Sequence, residues 1–478
     1  MHNNNNLTFS VQWHITTNCN NNCRHCYMYD EKTFADERKN TLSDEQLIRV
    51  LDDLTGFERK YGVRFSTFNL SGGDPVSRPG WDGFVKTLRD RGKRVTILGN
   101  PELLSAENIS KLKSLGVSRY QMSLDGLEND HDDFRSPGSF KRTVAKISEL
   151  EEAGIPCQIM FTYYPENRKH LFPLIEFLSE NTPLSSFSFD IGCSAGNAEN
   201  LSTDFSREEI KDVLERYLRL KESLINSGKK LLLREKSHFL RLFRFPAAPE
   251  DLKTFKAFPV AEGCHAAWSS VAILSDGRLM ACRRMPVTSG KMPEQSFEEL
   301  FLGDPFFRKL RRRTFYKGCF DCAYYQYCRG CPAYCEGETG DPFAVNPVCI
   351  KELLDDTGKV TATYPDPPLD VSFGEEMDFV KSAFHYNPEK FFERLKGNPV
   401  LRNALFRLAD DREESQKYIN SPTSYAGEQG FDLDAYDLLL LRHFLNWVVS
   451  DGLLVRKDTA PGIRQYINWL KYYHIRQN

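Results

Sequence analysis

The sequence lacks a long apolar run. None of its 478 residues lies in a stretch that approaches the ~20 apolar residues needed for a membrane-spanning helix. It also lacks an excess of charge: 63 basic and 66 acidic side chains leave a formal charge of −3, which gives no general attraction to nucleic acid or to an anionic membrane. The polar start MHNNNN is not a signal peptide. We therefore expect a cytoplasmic protein that binds neither nucleic acid nor membrane.

The cysteines, in contrast, form an informative pattern. There are 13 cysteines, an odd number, and most are clustered at short spacings. A disulfide framework is typical of small secreted domains, whereas this chain is large and has no export signal. Clustered thiols in a reducing compartment indicate metal or iron–sulfur ligands.

Strand-like and helix-like stretches alternate through the first 225 residues. The strand-like stretches are 11–15, 64–70, 95–98, 118–124, 157–163 and 186–191. The helix-like stretches are 43–61, 81–91, 106–115, 140–153, 169–180 and 207–225. Six such alternations predict parallel strands joined by right-handed crossovers, hence an α/β fold built as a partial (βα)6 TIM-like barrel.

Unusual residues follow the predicted strands at their C-terminal ends, where ligands bind in such folds. They are Cys19 to Cys26 after the first strand, Ser71 to Pro75 after the second, Gly99 to Glu102 after the third, Ser123 to Gly126 at the fourth, and Gly192 to Gly196 after the sixth. Each taken alone has an ordinary interpretation as a turn. Five of them on one rim predict a shared ligand.

The cysteine loop, residues 19–26, carries three thiols: Cys19, Cys23 and Cys26. A [4Fe–4S] cluster offers four irons, so three thiolates leave one iron open for another ligand. The alternative is a structural zinc site with His14 or His25 as the fourth ligand. His25 lies inside the loop, and we expect its ring to point away from a shared metal.

These motifs resemble those of the radical S-adenosylmethionine (SAM) enzymes. The CxxxCxΦC motif is matched by the cysteine loop with His25 at Φ and Tyr27 beside it, and the GGEP motif by residues 72–75 with Asp74 in place of Glu. The SLDG stretch is matched by residues 123–126. The resemblance implies that the open iron binds the amino and carboxylate groups of SAM and that reduction yields a 5′-deoxyadenosyl radical. The expected SAM contacts are Tyr27, Gly72, Gly73, Asp74, Pro75, Asn100, Ser123, Asp125 and Arg135, although Arg135 also fits a solvated ion pair at a helix start.

A second cysteine region resembles the SPASM domain of auxiliary iron–sulfur clusters. Gly277 precedes Cys282 by five positions within a predicted hairpin, and the later cysteines include the run Cys319-x2-Cys322-x5-Cys328. The resemblance implies two four-thiolate [4Fe–4S] clusters, three clusters in all. We expect Cys319, Cys322, Cys328 and Cys349 on one, and Cys264, Cys282, Cys331 and Cys335 on the other. Spacing alone leaves two zinc sites as an alternative. Cys157 and Cys193 fall outside both sets, as buried apolar fillers or, for Cys193, as a residue near substrate.

The predicted domains are the radical SAM barrel at 1–230, a linker at 231–262, the SPASM domain at 263–353, and a mainly helical extension at 354–478. The resemblance implies a maturase of a ribosomally made peptide, acting by hydrogen abstraction and a thioether or carbon–carbon crosslink. Alternatives are a formylglycine-forming maturase of the anaerobic sulfatase type, and a non-enzymatic iron–sulfur carrier or zinc scaffold. Expected partners are a peptide or protein substrate, an electron donor such as flavodoxin or ferredoxin, and either the helical tail or a separate protein that binds a leader peptide. No side chain is identified from the sequence as the catalytic acid or base.

Overall fold

A single open sheet of ten strands organises the protein, as seen in a computed structural model. The structure describes residues 7–28, 31–244, 263–320, 322, 324–325, 328–354, 366–383, 395, 397–409, 412–420, 422–433, 437–438, 441 and 445. The strands are β1 (Thr8–Thr16), β2 (Arg64–Gly72), β3 (Arg94–Leu98), β4 (Arg119–Ser123), β5 (Cys157–Tyr163), β6 (Ser186–Ile191), β7 (Leu232–Arg234), β8 (Ser270–Ile273), β9 (Arg278–Met280) and β10 (Thr288–Lys291). Their order across the sheet is β10-β9-β8-β1-β2-β3-β4-β5-β6-β7. The sheet does not close, and the predicted partial barrel is confirmed.

Helices cover the sheet between consecutive strands. They are α1 (Glu31–Lys39), α2 (Asp44–Tyr61), α3 (Trp81–Asp90), α4 (Ala106–Ser114), α5 (Glu128–Phe134), α6 (Ser139–Glu152), α7 (Leu171–Asn181), α8 (Arg207–Asn226), α9 (Arg241–Arg244), α10 (Pro305–Leu310), α11 (Pro332–Thr339), α12 (Phe373–Ala383), α13 (Pro399–Ala409), α14 (Arg412–Asn420) and α15 (Pro422–Gln429). Short 3-10 turns occupy Pro75–Ser77, Arg168–His170, Gly196–Asn200, His238–Leu240, Arg313–Phe315 and Lys351–Leu353, and a π-helical turn occupies Glu299–Gly303. None of the helices in the described part of the chain combines the length and apolar character needed to cross a membrane.

Local sequence explains why the predicted elements form where they do. Ser43 and Gln46 make a reciprocal capping box at the start of α2, and Gly62 ends this helix in the left-handed conformation. All six residues of β6 are buried, as expected for a parallel strand covered on both faces. Each of the six predicted strands and six predicted helices is present, with boundaries that move by at most three residues.

The second cysteine region extends the same sheet. Strand β8 pairs in parallel with β1, so that Ser10 lies opposite Ser270 and Trp13 opposite Ile273. Strand β9 then pairs antiparallel with β8 as the predicted hairpin. The segment predicted as a linker, 231–262, begins with β7, which pairs in parallel with β6; positions 245–262 lie outside the described residues, and the predicted domain bounds stay a prediction.

The start of the C-terminal extension is fixed to the second cysteine region by buried charge. Glu376 of α12 accepts hydrogen bonds from Arg311 Nη1 at 2.9 Å and from Arg312 Nη2 at 2.5 Å, and all three side chains are almost wholly buried. Trp268 packs beside Phe379 of the same helix. The described part of the extension is helical, as predicted, and α12 is integral to the body of the protein.

Candidate active site

The C-terminal ends of the parallel strands open into one cavity of about 380 Å³. Its wall includes Cys19, Cys23, His25, Cys26, Tyr27, Gly72, Gly73, Asn100, Ser123 and Arg135 from the predicted site. The remaining predicted SAM contacts, Asp74, Pro75 and Asp125, do not line it. The structure thus brings the strand-end motifs together around a single space, with three buried residues placed behind its wall.

Two glycines allow the backbone at the C-terminal end of strand β2 to contact the backbone that leads into the cysteine loop. Gly72 has a φ of +127°, and a Cβ there would lie 2.1 Å from the Thr16 carbonyl oxygen. A Cβ on Gly73 would lie 1.8 Å from the Asn18 carbonyl oxygen. The space is used instead for backbone hydrogen bonds, since Gly73 N–H donates to Thr16 O at 2.9 Å and Asp74 N–H donates to Asn18 O at 2.6 Å. The two motifs therefore form one backbone unit.

Asp74 organises the wall without reaching the cavity. Its fully buried carboxylate accepts hydrogen bonds from the N–H groups of Val76 and Asn100, each at 2.9 Å. Burial raises the pKa of Asp74 to about 6, while these two N–H donors act in the opposite direction. Asn100, once oriented in this way, donates its side-chain amide to Asn20 at 2.8 Å and lies 3.8 Å from the Cys19 sulfur.

Arg135 connects the fourth strand end to the cysteine loop. Its Nε donates to Asp125 Oδ2 at 2.6 Å, its Nη2 donates to the His25 ring at 3.2 Å, and its Nη1 lies 3.5 Å from the Cys23 sulfur. Burial opposes the ionisation of Asp125, but the charge of Arg135, with His25 and His131, prevails and lowers its pKa to about 2. Burial is the main cause that lowers the pKa of His25 to about 4, so the ring is neutral and accepts from Arg135. The His25 Nε2 is thus engaged by Arg135 and lies 3.5 Å from Asp125 Oδ2.

The other cavity residues supply polar groups of different kinds. Gln12 donates from its amide to the Tyr27 hydroxyl and to the Ser71 hydroxyl, each at 3.2 Å. Burial raises the pKa of the Cys19 thiol to about 11. A buried thiol of this kind stays protonated unless a metal centre binds it as the thiolate. Arginine and amide N–H groups next to the sulfurs are the neighbours that such a centre requires.

Four of the later cysteines surround a second, smaller cavity. Its wall includes Cys319, Cys322, Cys328 and Cys349, the four that were predicted to share one cluster. We call them thiol group B. Burial and the neighbouring thiols of the same group raise the pKa of Cys328 well above its ordinary value.

Three of the remaining cysteines are Cys264, Cys282 and Cys331, which we call thiol group A. After burial, Cys282 is among the groups that raise the pKa of Cys264 and of Cys331, and Cys264 is among those that raise the pKa of Cys331. Cys335 is separated from them: it lies one helical turn after Cys331, and its thiol donates to the Ala344 carbonyl oxygen at 3.5 Å. Burial raises its pKa to about 12, with further contributions from Asp341 and Cys349, which belong to the side of thiol group B. The Cys335 thiol is thus engaged by Ala344, and its predicted place in a cluster with Cys264, Cys282 and Cys331 stays a prediction.

Sequence reasoning missed part of the cavity wall. Lys236 follows the short strand β7, Arg284 follows the hairpin, and Asp190 is the last residue but one of β6. Arg284 pairs with Asp190 at 3.1 Å, whereas the Lys236 ammonium lies 3.6 Å from the Met160 sulfur. Desolvation by the surrounding cavity wall is the main cause that lowers the pKa of Lys236, although its side chain is exposed to the cavity. No local pattern marks these positions, which become neighbours only when distant strands come together.

Models of two protein families match this chain. The radical SAM superfamily matches residues 13–178, and the iron–sulfur cluster-binding SPASM domain matches residues 264–332. These segments contain the cysteine loop and six of the eight later cysteines, Cys335 and Cys349 lying beyond the second one. The protein is therefore a radical SAM enzyme. More closely, it belongs to the radical SAM enzymes that carry a SPASM domain.

Curated relatives have several activities. An AdoMet-dependent heme synthase of Methanosarcina barkeri is 29% identical over 348 residues, which are 71% of this chain and 95% of that protein. The PqqA peptide cyclase of Ruegeria pomeroyi is 24% identical over 352 residues, 68% of this chain and 84% of that protein. The mycofactocin maturase MftC of Mycobacterium tuberculosis is 23% identical over 376 residues, 77% of this chain and 89% of that protein.

Solved structures share the fold. SuiB of Streptococcus suis bound to S-adenosylmethionine has a TM-score of 0.56 at 16% identity and covers 72% of this chain and 77% of its own. The native anSMEcpe with bound AdoMet has a TM-score of 0.54 at 15% identity and covers 72% of this chain and 94% of its own. These similarities support the architecture of a partial barrel followed by a SPASM domain.

The residues fit the cofactors that the family implies, SAM and iron–sulfur clusters. In the described part of the chain, no three His, Cys, Asp or Glu side chains stand close enough to bind one metal ion. The thiols instead line spaces, and a [4Fe–4S] cluster, whose cysteines bind separate irons, suits that arrangement. Cys19, Cys23 and Cys26 would hold the SAM-binding cluster, and SAM itself would lie against Gly72, Gly73, Asn100 and Ser123.

Proposed function

We propose that the protein is a peptide maturase that uses radical SAM chemistry to install a thioether or carbon–carbon crosslink in a ribosomally made peptide. When bound, SAM and the clusters supply a 5′-deoxyadenosyl radical and an acceptor for a second electron. One observation carries the proposal: the cavity is bounded on one side by the cysteine loop and on another by Cys282 of thiol group A. A substrate between them is well placed for an oxidation that removes two hydrogens.

The residues of the cavity support the parts of this reaction that the protein itself performs. Gly72 and Gly73 leave room for a ligand's polar groups to approach the backbone. Arg135 and Asn100 place positive or polar N–H groups beside the thiols. Lys236, which the cavity exposes, can bind a carboxylate of the substrate or take part in proton transfer, because its lowered pKa makes the neutral form more accessible.

The peptide class is supported by the maturases and the peptide cyclase among the relatives. A second candidate is chemistry on a tetrapyrrole, favoured by the heme synthase whose length is almost wholly matched. The cationic Lys236 and Arg284 would suit its carboxylates. A third outcome, formylglycine formation, is the one that oxidises a single Cys or Ser side chain.

Coexpression with short open reading frames encoded beside the gene separates these candidates. A product that has lost two hydrogens and does not react with hydrazine indicates a crosslink, whereas a hydrazine-reactive carbonyl indicates formylglycine. Anaerobic incubation with an iron porphyrin that carries propionate side chains tests the second candidate through release of carbon dioxide. The variant Cys26→Ala is the control, since loss of one cluster ligand removes every radical product. Unmodified peptides together with a decarboxylated porphyrin would contradict the proposal.

A test of whether the helical tail binds the substrate needs a deletion that leaves the rest of the protein intact. A cut after Pro368 would remove Glu376 and leave Arg311 and Arg312 buried without their partner. Deletion of residues 384–478 preserves that ion pair. We expect this variant to retain its iron and to form 5′-deoxyadenosine, but to bind the precursor peptide at least tenfold more weakly. Unchanged peptide binding would assign leader recognition to a separate protein.

A further inference from the structure

The segment that follows β6 links the two cysteine regions. We call residues 192–200 the β6 loop. Asn197 N–H donates to the Cys26 carbonyl oxygen at 3.1 Å, and its side chain donates to the Cys23 carbonyl oxygen at 3.2 Å. Gly196 has a φ of +58°, and a Cβ there would lie 2.7 Å from Cys26 O. One end of this loop is therefore fixed to the cysteine loop.

The other side of the β6 loop is packed against helix α11, whose N-terminal cap is Cys331. A Cβ on Gly337 of α11 would lie 2.6 Å from the Ser194 carbonyl oxygen, so the helix touches the loop directly. Tyr334 of the same helix donates its hydroxyl to Thr203 O at 2.9 Å. Cys193 is thereby held between α11 and the cavity.

The surroundings of Cys193 are those of thiol group A. It is 3% exposed and lines the cavity together with Cys282 and Arg284. Arg284 donates to Ile191 O at 3.0 Å, one of the residues that lead into the β6 loop. Among the groups that act on the pKa of Arg284 are Cys193, Cys331 and Cys282, after burial and Asp190. The same guanidinium thus has all three thiols as neighbours.

Thiol group A has three members, and the fourth ligand that was predicted for it is directed elsewhere. The Cys335 thiol donates to Ala344 O and lies toward Cys349. Asp190, a carboxylate that lines the same cavity as Cys282, is engaged by Arg284 and by the Ile191 N–H. Four protein ligands complete a [4Fe–4S] cluster that only transfers electrons.

We propose that Cys193, from the barrel, is the fourth thiolate of the auxiliary cluster held by Cys264, Cys282 and Cys331. The barrel and the SPASM domain would then share one cluster, with Cys193 and Cys282 on its cavity side. The proposal rests on iron–sulfur occupancy of the auxiliary sites and is independent of the substrate, so its failure is distinguishable from failure of the peptide-maturase proposal.

The test uses the full-length chain in which Cys19, Cys23 and Cys26 are replaced by Ala, so that only auxiliary clusters are present. Into this parent we introduce Cys193→Ala, Cys335→Ala and, as a matched buried thiol in β5, Cys157→Ala. After anaerobic reconstitution, iron and sulfide are measured, and Mössbauer and EPR spectra are recorded before and after mild oxidation. Cys193→Ser serves as a second variant, since an oxygen ligand can retain the cluster.

We expect about eight irons per chain in the parent, as in Cys335→Ala and Cys157→Ala. Cys193→Ala should lose about half of that iron or, after oxidation, show the EPR signal of a three-iron cluster that the parent lacks. Cys193→Ser should keep the iron with an altered Mössbauer spectrum. The proposal is overturned if Cys193→Ala has the iron content and spectra of the parent, if Cys335→Ala shows the loss instead, or if the parent binds zinc at these thiols.

Discussion

At the scale of single residues, the site depends on groups that never face the cavity. Asp125 is fully buried, and its ion pair with Arg135 holds a guanidinium beside Cys23. The radical SAM motif explains why the thiols are recognisable from sequence, because their spacing is local. The partnership of Asp125 with Arg135 is less recognisable, since α5 between them is a short, very polar helix without an apolar period.

The first residue-scale prediction concerns this ion pair. Asp125→Asn leaves Arg135 buried without its counter-charge and should lower the free energy of unfolding by about 3 kcal/mol at pH 7. The folded-state pKa of Asp125 is about 2, below its ordinary value of 3.8, so the stabilisation is present above pH 4 and is lost as the pH falls toward 2. Urea unfolding of the metal-free protein should show a gap between wild type and variant that narrows over this range.

The control for this measurement is Asp133→Asn, which removes an exposed partner of Arg24. A solvated ion pair contributes little, so no measurable change is expected. A gap between wild type and Asp125→Asn that stays constant from pH 7 to pH 3 would contradict the assigned ion pair.

The second residue-scale prediction concerns the contact between Gly73 and the cysteine loop. Gly73→Ala places a Cβ 1.8 Å from Asn18 O and should displace the backbone on which Cys19 is carried. We expect loss of about four irons per chain and at least a tenfold weaker affinity for SAM, with auxiliary iron retained. Iron analysis and isothermal titration with SAM measure both effects.

Gly83→Ala in α3 is the matched substitution, because nothing lies within 4 Å of the place that its Cβ would occupy. It should stabilise the helix by about 1 kcal/mol and leave iron unchanged. Equal iron content in the two variants would show that the close contact at Gly73 is dispensable.

At the scale of elements, periodicity and end signals predicted the strands and helices of the barrel. Elements that rely on distant partners were harder to predict. Strand β7 has three residues, too few for a period, and it exists because β6 lies beside it. Pro332 at the first position of helix α11 is a recognisable signal for the start of a helix. The closely spaced cysteines around it obscured this signal. One turn of this helix separates Cys335 from Cys331, and the Cys335 thiol donates to Ala344 O.

The element-scale prediction concerns the attachment of α12. Glu376→Gln removes the charge that two buried arginines share and should lower the free energy of unfolding by about 3–5 kcal/mol. Glu375→Gln, next to it on an exposed position where it caps α12 with Ser372, should have a small effect. Thermal unfolding and limited proteolysis after residue 366 compare the two. Similar melting temperatures for both variants would exclude the buried pair as the anchor.

At the scale of the whole molecule, the sequence divided the chain into domains more sharply than the structure does. Cysteine spacing correctly placed a SPASM domain, yet nothing local indicates that β8 pairs with β1. The pairing of these strands joins the segment that matches the radical SAM family and the segment that matches the SPASM family into one sheet. For the same reason, Lys236 and Arg284 had no local signal as cavity residues, whereas Cys193 was expected at the rim because it follows the sixth strand.

The molecule-scale prediction follows from this pairing. A fragment of residues 1–244 lacks β8 and leaves one edge of β1 without a partner, which favours aggregation. We expect it to elute as aggregates in size-exclusion chromatography, and coexpression with residues 263–478 to restore a soluble complex. A monomeric, iron-binding 1–244 fragment would show that the barrel folds by itself.

The position of β1 also orders events during synthesis. Its neighbour β2 emerges from the ribosome early, whereas β8 arrives only after more than half of the chain has been made. Contacts so distant in sequence form late and slow folding. The cysteine loop, attached to the end of β1, therefore reaches its final surroundings only after β8 has been made, and cluster insertion should follow the synthesis of more than half of the chain.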